Sequence, residues 1–281
     1  MVMTATHPPT DHSAWIGRTE EAVDELSRNL IKRIAATFGE AAPAVGQPLP
    51  PLWMWCFFQE PVAESQLGSD GHPARGGFLP PADNRNRMWA GGRVEFFTPL
   101  KVGAEAHRLS TIVHIEEKHG RTGALLFVTV RHEYSQQGEL CVREEQDIVY
   151  REPNPPKLSS AAPTAPGDWS EAVTPSPTLL FRYSAVTFNG HRIHYDHPYV
   201  TSAEGYAGLV VHGPLIATLT LRAFLRANPG KRLRQFAYRG VRPLTVPTPF
   251  EVAGRIGAPG QAQLWAGNAD GVAQSADVIF D

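Results

Sequence analysis

The densest run of chemically capable side chains spans residues 181–198, Phe-Arg-Tyr-Ser-Ala-Val-Thr-Phe-Asn-Gly-His-Arg-Ile-His-Tyr-Asp-His-Pro. It holds His191, His194 and His197, three of the chain's eleven histidines. Two chemistries suit such a run. On a helix, imidazoles three residues apart stack on one face and could ligate zinc or a similar ion. Gly190 and Pro198 argue against a helix, and in an extended segment the rings diverge. The other chemistry is proton transfer, for which histidine is the natural carrier near neutral pH. A proton carrier acting beside a carbonyl needs something to hold the oxygen as charge builds on it. Residues 210–215, Val-Val-His-Gly-Pro-Leu, offer this, because they open a long apolar helix. The first N–H groups of a helix lack partners within it and lie at the positive end of its dipole. Proline has no N–H, so Gly213 and Leu215 are the candidate donors, and His212 either caps this turn or faces the site.

The elements that position these residues can be read from periodicity. Seven prolines fall within residues 152–177 among Ser, Ala and Thr, which reads as a linker. It divides the chain into units 1–151 and 178–281. In the first unit Thr19 reads as a helix N-cap followed by Glu20 and Glu21. Val23, Leu26, Leu30 and Ile34 keep helical spacing, and Gly39 closes the helix. An aromatic stretch follows at residues 52–58, in which Trp53, Trp55, Phe57 and Phe58 could line a pocket or form core. Residues 93–97, 106–117, 122–134 and 140–150 read as strands, the middle two as a hairpin. In the second unit the helix from Pro214 stops at Asn228-Pro-Gly, and residues 234–238, 250–256, 261–268 and 272–279 read as strands. Residues 93–102 echo residues 239–246, and residues 37–39 echo 187–190. The chain therefore reads as an internally duplicated α+β protein, each unit a long helix wrapped by a curved antiparallel sheet.

The 281 residues carry a net charge of −2 and 42% hydrophobic residues, enough for a real core and neither disordered nor membrane-spanning in character. The charge gives no footprint for nucleic acid. Two cysteines cannot build a disulfide framework, so a cytoplasmic setting is expected, with no nucleic-acid or membrane partner.

The histidine run and the His212-Gly213 helix start together resemble the MaoC-like hydratase family. That family has the hotdog fold and a D-x-N-P-x-H signature followed by a helix opened by H-G. Residues 183–196 and the Met-Trp-Ala-Gly-Gly at 88–92 are similar to the two-hotdog branch, which comprises hydroxyacyl-thioester dehydratases type 2 and mesaconyl-C4-CoA hydratases. The resemblance covers both units. It implies a double hotdog whose C-terminal unit is catalytic and whose N-terminal unit, lacking an N-x-H-x-x-H counterpart, is degenerate. It also implies a hydro-lyase that adds or removes water at a double bond conjugated to a thioester, acting on an acyl-CoA or an acyl group on a carrier protein and needing no cofactor or metal. His194 matches the catalytic histidine and Gly213 the glycine whose N–H binds the thioester oxygen. Asn189 stands where single-hotdog relatives have a catalytic aspartate, and an amide cannot carry a proton. Either His194 performs both transfers or His191 shares them, with Asp196 a supporting partner. Tyr183, Trp89, His212 and Leu215 are expected around the acyl group, and Arg87 and Arg93, with Arg85, Arg239 and Arg242, are candidates for the CoA phosphates. A hotdog thioesterase or a non-catalytic acyl-binding subunit is the alternative. Further assembly into a homo-oligomer is optional, because the paired units already supply the packing that a single hotdog gains by dimerising.

Overall fold

Among the described residues, strands make up the larger part of the regular structure. The computed structural model describes residues 12–74, 76–82, 85–120, 123–152, 158–162 and 166–281. Among them the strands are β1 (Thr19–Asp24), β2 (Asn86–Phe96), β3 (Ala106–Gly120), β4 (Gly123–Gln136), β5 (Glu139–Arg151), β6 (Trp169–Val173), β7 (Leu233–Gly240), β8 (Phe250–Ile256), β9 (Gln261–Asn268) and β10 (Gly271–Phe280). The helices are α1 (Arg28–Phe38), α2 (Pro177–Val186), α3 (His197–Ser202) and α4 (Gly213–Ala227). The strands form one ten-stranded sheet ordered β1-β3-β4-β5-β2-β7-β10-β9-β8-β6. The order is a palindrome, in which each half repeats the topology of the other and the halves join edge to edge at β2 and β7. The antiparallel register there pairs Gly91 with Arg239 and Val94 with Phe236. This is the double hotdog arrangement, in the α+β class. None of the described helices is long and apolar enough to cross a membrane.

Hydrogen bonds repeat across the halves and bear out the sequence echo. Leu49 N–H donates to the Leu100 carbonyl (2.7 Å) and Val102 N–H to Gln47 (3.0 Å). Their counterparts are Val211 N–H to Leu244 (2.8 Å) and Val246 N–H to Leu209 (2.9 Å). α1 and α2 also match: each is capped by a serine, Ser27 and Ser176, whose hydroxyl accepts from the N–H three residues on.

Three expectations need correction. Residues 19–24 are an edge strand on β3, not the first turn of a helix. Ser27 is the true cap of α1, and Gly39, at φ 67°, closes it as expected. Within the stretch read as a linker, residues 169–173 form β6 on β8, and Pro177 already begins α2. Residues 153–157 and 163–165 of that stretch lie outside the described residues. The halves also differ in their central helix. α4 is fifteen residues long, with Leu215, Ala217 and Phe224 fully buried. The first half has at the corresponding place only a buried 3-10 turn, Trp53–Cys56.

Candidate functional site

The equivalence of Leu49 with Val211 aligns the next two residues of each half. After Val211 come His212 and Gly213, whereas after Leu49 come Pro50 and Pro51. Two prolines offer no N–H, so the first half cannot present the helix-start donors of the second. The connection before this point also differs. It takes residues 40–48 in the first half and residues 191–210 in the second, and the longer one carries His191, His194 and α3.

His194 sits in a 3-10 turn, Arg192–His194, and is buried. Its Nδ1 lies 2.7 Å from the Val210 carbonyl. A carbonyl can only accept, so Nδ1 carries the hydrogen and Nε2 is left as the basic nitrogen. Burial pushes the imidazole down to about 4, the bond to Val210 opposing this only in part. His194 stacks face to face on His212, with centroids 3.6 Å apart and planes 17° apart. His212 is the N-cap residue of α4, so the His194 ring lies at the leading end of that helix. The His212 side chain does not cap the turn. It reaches Ser184 on α2 through Nε2 (2.8 Å), its Nδ1 has no hydrogen-bond partner, and burial holds it well below the usual histidine range. Tyr183 meets the His212 ring edge-on, at 4.9 Å. Its phenol is pushed well up by burial.

Gly213 opens α4, with Pro214 second and Leu215 third. Ile216 is the first residue of the helix to donate back, to the His212 carbonyl (3.0 Å), and the Gly213 and Leu215 N–H groups precede it. Gln274 on β10 donates to the Gly213 carbonyl (3.1 Å) and fixes the turn. Trp89 of β2 packs so closely that a Cβ on Gly213 would lie 2.8 Å from its ring. Trp89 in turn stacks on Tyr238 (4.5 Å) and meets the edge of Trp55 (5.5 Å). Trp55 donates its indole N–H to Glu144, a fully buried carboxylate that also accepts from Tyr134.

Asn189 does not face the stacked pair through its side-chain oxygen, which accepts from the His191 backbone N–H (2.9 Å) and tightens the turn into the site. His191 is buried and meets His194 edge-on at 5.4 Å. Desolvation pushes it down to about 2. His197 is exposed at the start of α3, so residues 191, 194 and 197 do not form a ligand set. Asp196 is occupied capping α3 through Tyr199 N–H and pairing with Arg192.

Of the candidate cations, Arg87 lies close enough for its charge to act on His191. Arg93, on the central strand β2, is spent in ion pairs with Glu145 and Asp147. Arg85 is paired with Glu117, and Arg242 is turned inward onto Asn268 and Gly271. Arg239 is exposed.

Two residues that sequence reading did not single out, Asp70 and His72, join the site from the first half. The His72 ring lies 4.2 Å from that of His191. Asp70, His72 and His191 each bring one donor atom within 4.8 Å of the others, a spacing compatible with a divalent cation. The hydrogen bond between Asp70 and His72 already accounts for part of that closeness. The local signal was the Asp-Gly-His spacing, which makes an Asx turn, but nothing in it pointed across the molecule.

Comparison with known proteins places the chain by family and by fold. The pattern defining hydroxyacyl-thioester dehydratase type 2 matches residues 52–246. The mesaconyl-C(4)-CoA hydratase of Chloroflexus aurantiacus is 46% identical over 251 residues, 87% of this chain and 89% of that protein. A MaoC-like dehydratase from Phytophthora capsici superposes with a TM-score of 0.70 at 13% identity, covering 95% of this chain and 96% of the other. A Mycobacterium tuberculosis protein with a double hotdog fold superposes with a TM-score of 0.57 at 13% identity, covering 95% and 96%.

Proposed function

The chain belongs to the hydroxyacyl-thioester dehydratase type 2 family and is an acyl-thioester hydratase/dehydratase, and from that premise we propose how its own residues move water on and off the substrate. The thioester carbonyl sits against the start of α4 and accepts from the Gly213 and Leu215 N–H groups. In hydration, His194 Nε2 takes a proton from water as the water oxygen bonds to C3. The π electrons shift toward the thioester oxygen, and C2 then receives a proton. Dehydration is the reverse. A fixed donor at such an oxygen contributes about 3 kcal/mol to the barrier difference. His212 holds the His194 ring flat and Tyr183 holds His212. Trp89 walls the helix start, and Leu215 anchors it in the core.

The observation that carries this reading is the His194–His212 stack at the helix start, with Nδ1 committed to the Val210 carbonyl. It leaves one basic nitrogen at the leading end of α4, where the helix-start N–H groups lie. The substrate we propose is a short branched dicarboxylic enoyl-CoA of the mesaconyl type, which the similarity to the Chloroflexus enzyme supports. Arg87 is the proposed cation for its anionic end. The two-unit division, a degenerate half of residues 1–151 and a catalytic half of residues 178–281, is part of the same proposal.

Incubation with mesaconyl-CoA and crotonyl-CoA tests it, by following the conjugated-enone absorbance together with free thiol. Absorbance falls without thiol release in the wild type, and His194→Ala loses roughly 10²–10⁴ in turnover with the fold retained. Thiol release, or full activity in His194→Ala, overturns it.

A further inference from the structure

A hydro-lyase moves two protons per turnover, one to a base and one from an acid. Asn189 stands where a carboxylate would serve, and its amide neither takes nor gives a proton. The opposite half of the molecule brings a carboxylate and an imidazole to the same place.

After the buried 3-10 turn, the first half does not run on into a long helix. Residues 59–74 instead lead toward the catalytic half, and their turn at 68–72 is docked on it. Arg192 N–H donates to the Asp70 carbonyl (2.8 Å), and the Arg192 guanidinium donates to the Ser69 carbonyl (2.9 Å). Gly71, at φ 86°, lies so close to Gly190 that a Cβ on it would be 2.0 Å from the Gly190 carbonyl oxygen. Within the turn, the two Asp70 carboxylate oxygens meet the His72 backbone N–H (3.0 Å) and Nδ1 (3.1 Å). The carboxylate thus fixes both the chain direction and the ring of His72. The result is a row of four imidazoles, His72, His191, His194 and His212, with successive centroids 4.2, 5.4 and 3.6 Å apart.

We propose that Asp70 and His72, supplied by the non-catalytic half, are the second proton-carrying pair of the active site, with His72 the carrier and Asp70 the carboxylate that orients it. The proposal rests on the hydro-lyase reading above. In dehydration His72 accepts the C2 proton. The C3–O bond breaks with its electron pair on oxygen, and the imidazolium of His194 delivers the proton that completes the departing water. Hydration runs these transfers backward. One proton is taken and one given, and both rings reset by exchange with solvent. His191, held neutral by burial, separates the two carriers. Among the described residues, the titratable groups that act on His72 are Asp70 on its own turn and His191 and His194 on the docked segment, while Arg87 on β2 acts on His191 and Tyr199 on α3 acts on Asp70.

The test compares His72→Gln, Asp70→Asn and His194→Gln with the wild type on mesaconyl-CoA and crotonyl-CoA, measuring kcat, KM, the pH–rate profile and thermal melting. His72→Gln and Asp70→Asn are expected to lose roughly 10²–10⁴ in kcat with little change in KM, and to flatten one limb of the pH profile while melting like the wild type. Should His72→Gln not fold, Asp70→Asn, which keeps size and shape, reads the same limb. Wild-type turnover by His72→Gln while His194→Gln is inactive overturns this pair alone. A lowered rate with both limbs kept also overturns it, because a merely structural role would give that. Loss of wild-type activity on dialysis against EDTA assigns Asp70, His72 and His191 to a cation and overturns it as well. A wild type that hydrates neither thioester removes the hydro-lyase reading, and the pair falls with it.

Discussion

A histidine buried as deeply as His194 costs the fold stability in acid. Burial pushes its imidazole down to about 4 in the native protein, against about 6.5 in an unfolded chain. Between those values the unfolded chain binds a proton that the native state refuses. This contribution is therefore intact above about pH 6.5, falls as the pH drops toward 4, and levels off below it. The size is about 3 kcal/mol for this one group. His132, half-buried on β4 and pushed down to about 3 by desolvation, acts in the same direction. Urea denaturation at pH 7 and pH 4.5 should show the loss, and His194→Gln should narrow the gap between the two. A gap unchanged in the variant would mean that His194 is not the group responsible. The residue that the sequence could not supply was His72. His194, His212 and Gly213 are legible because they fall in two short runs with a recognisable spacing. His72 lies more than a hundred residues upstream in a loop without periodicity, and only folding reveals its neighbour.

Helix α4 opens on a glycine that its surroundings leave no room to replace. A Cβ at position 213 would drive into Trp89, itself held between Tyr238 and Trp55. Gly213→Ala should therefore displace the helix start and cost on the order of 10²-fold in turnover, since misplacement of about 1 Å carries that penalty. Far-ultraviolet circular dichroism should remain that of the wild type. Unchanged turnover would show that the Gly213 N–H is not the oxygen's donor. At this scale the sequence was most readable where side chains alternate. Strands β8 and β9 end where the pattern ends, because period-two burial is written residue by residue. β1 was misread because Thr19-Glu-Glu imitates a capped helix, while its partner β3 lies some ninety residues away. α2 and β6 were missed because Pro and Ser, which cap α2 through Ser176 and Pro177, also make up linkers.

Across the whole molecule the β2–β7 seam joins the halves. Gly92 allows it: a Cβ there would lie 2.4 Å from the Tyr238 hydroxyl and 2.6 Å from the Glu145 carbonyl. Gly92→Val should destabilise the protein by about 1–3 kcal/mol through overpacking, read as a lower denaturation midpoint, and should weaken turnover because His72 must cross that seam to reach His191. Unaltered stability would show that the seam tolerates bulk. The duplicated topology was legible in the echo of residues 93–102 in residues 239–246. The division of labour was only half legible, because the first half looked merely degenerate.

Where the second half has His212 and Gly213, the first has Pro50 and Pro51. In a protein that pairs with its own copy, each substitution appears at both centres at once, so neither can be sacrificed. Tandem fusion lifts that constraint. Under the proposal made above, one half is then free to drift, to surrender its own donors to proline, and to lend a loop to its neighbour, leaving a single productive centre built by two unequal contributors.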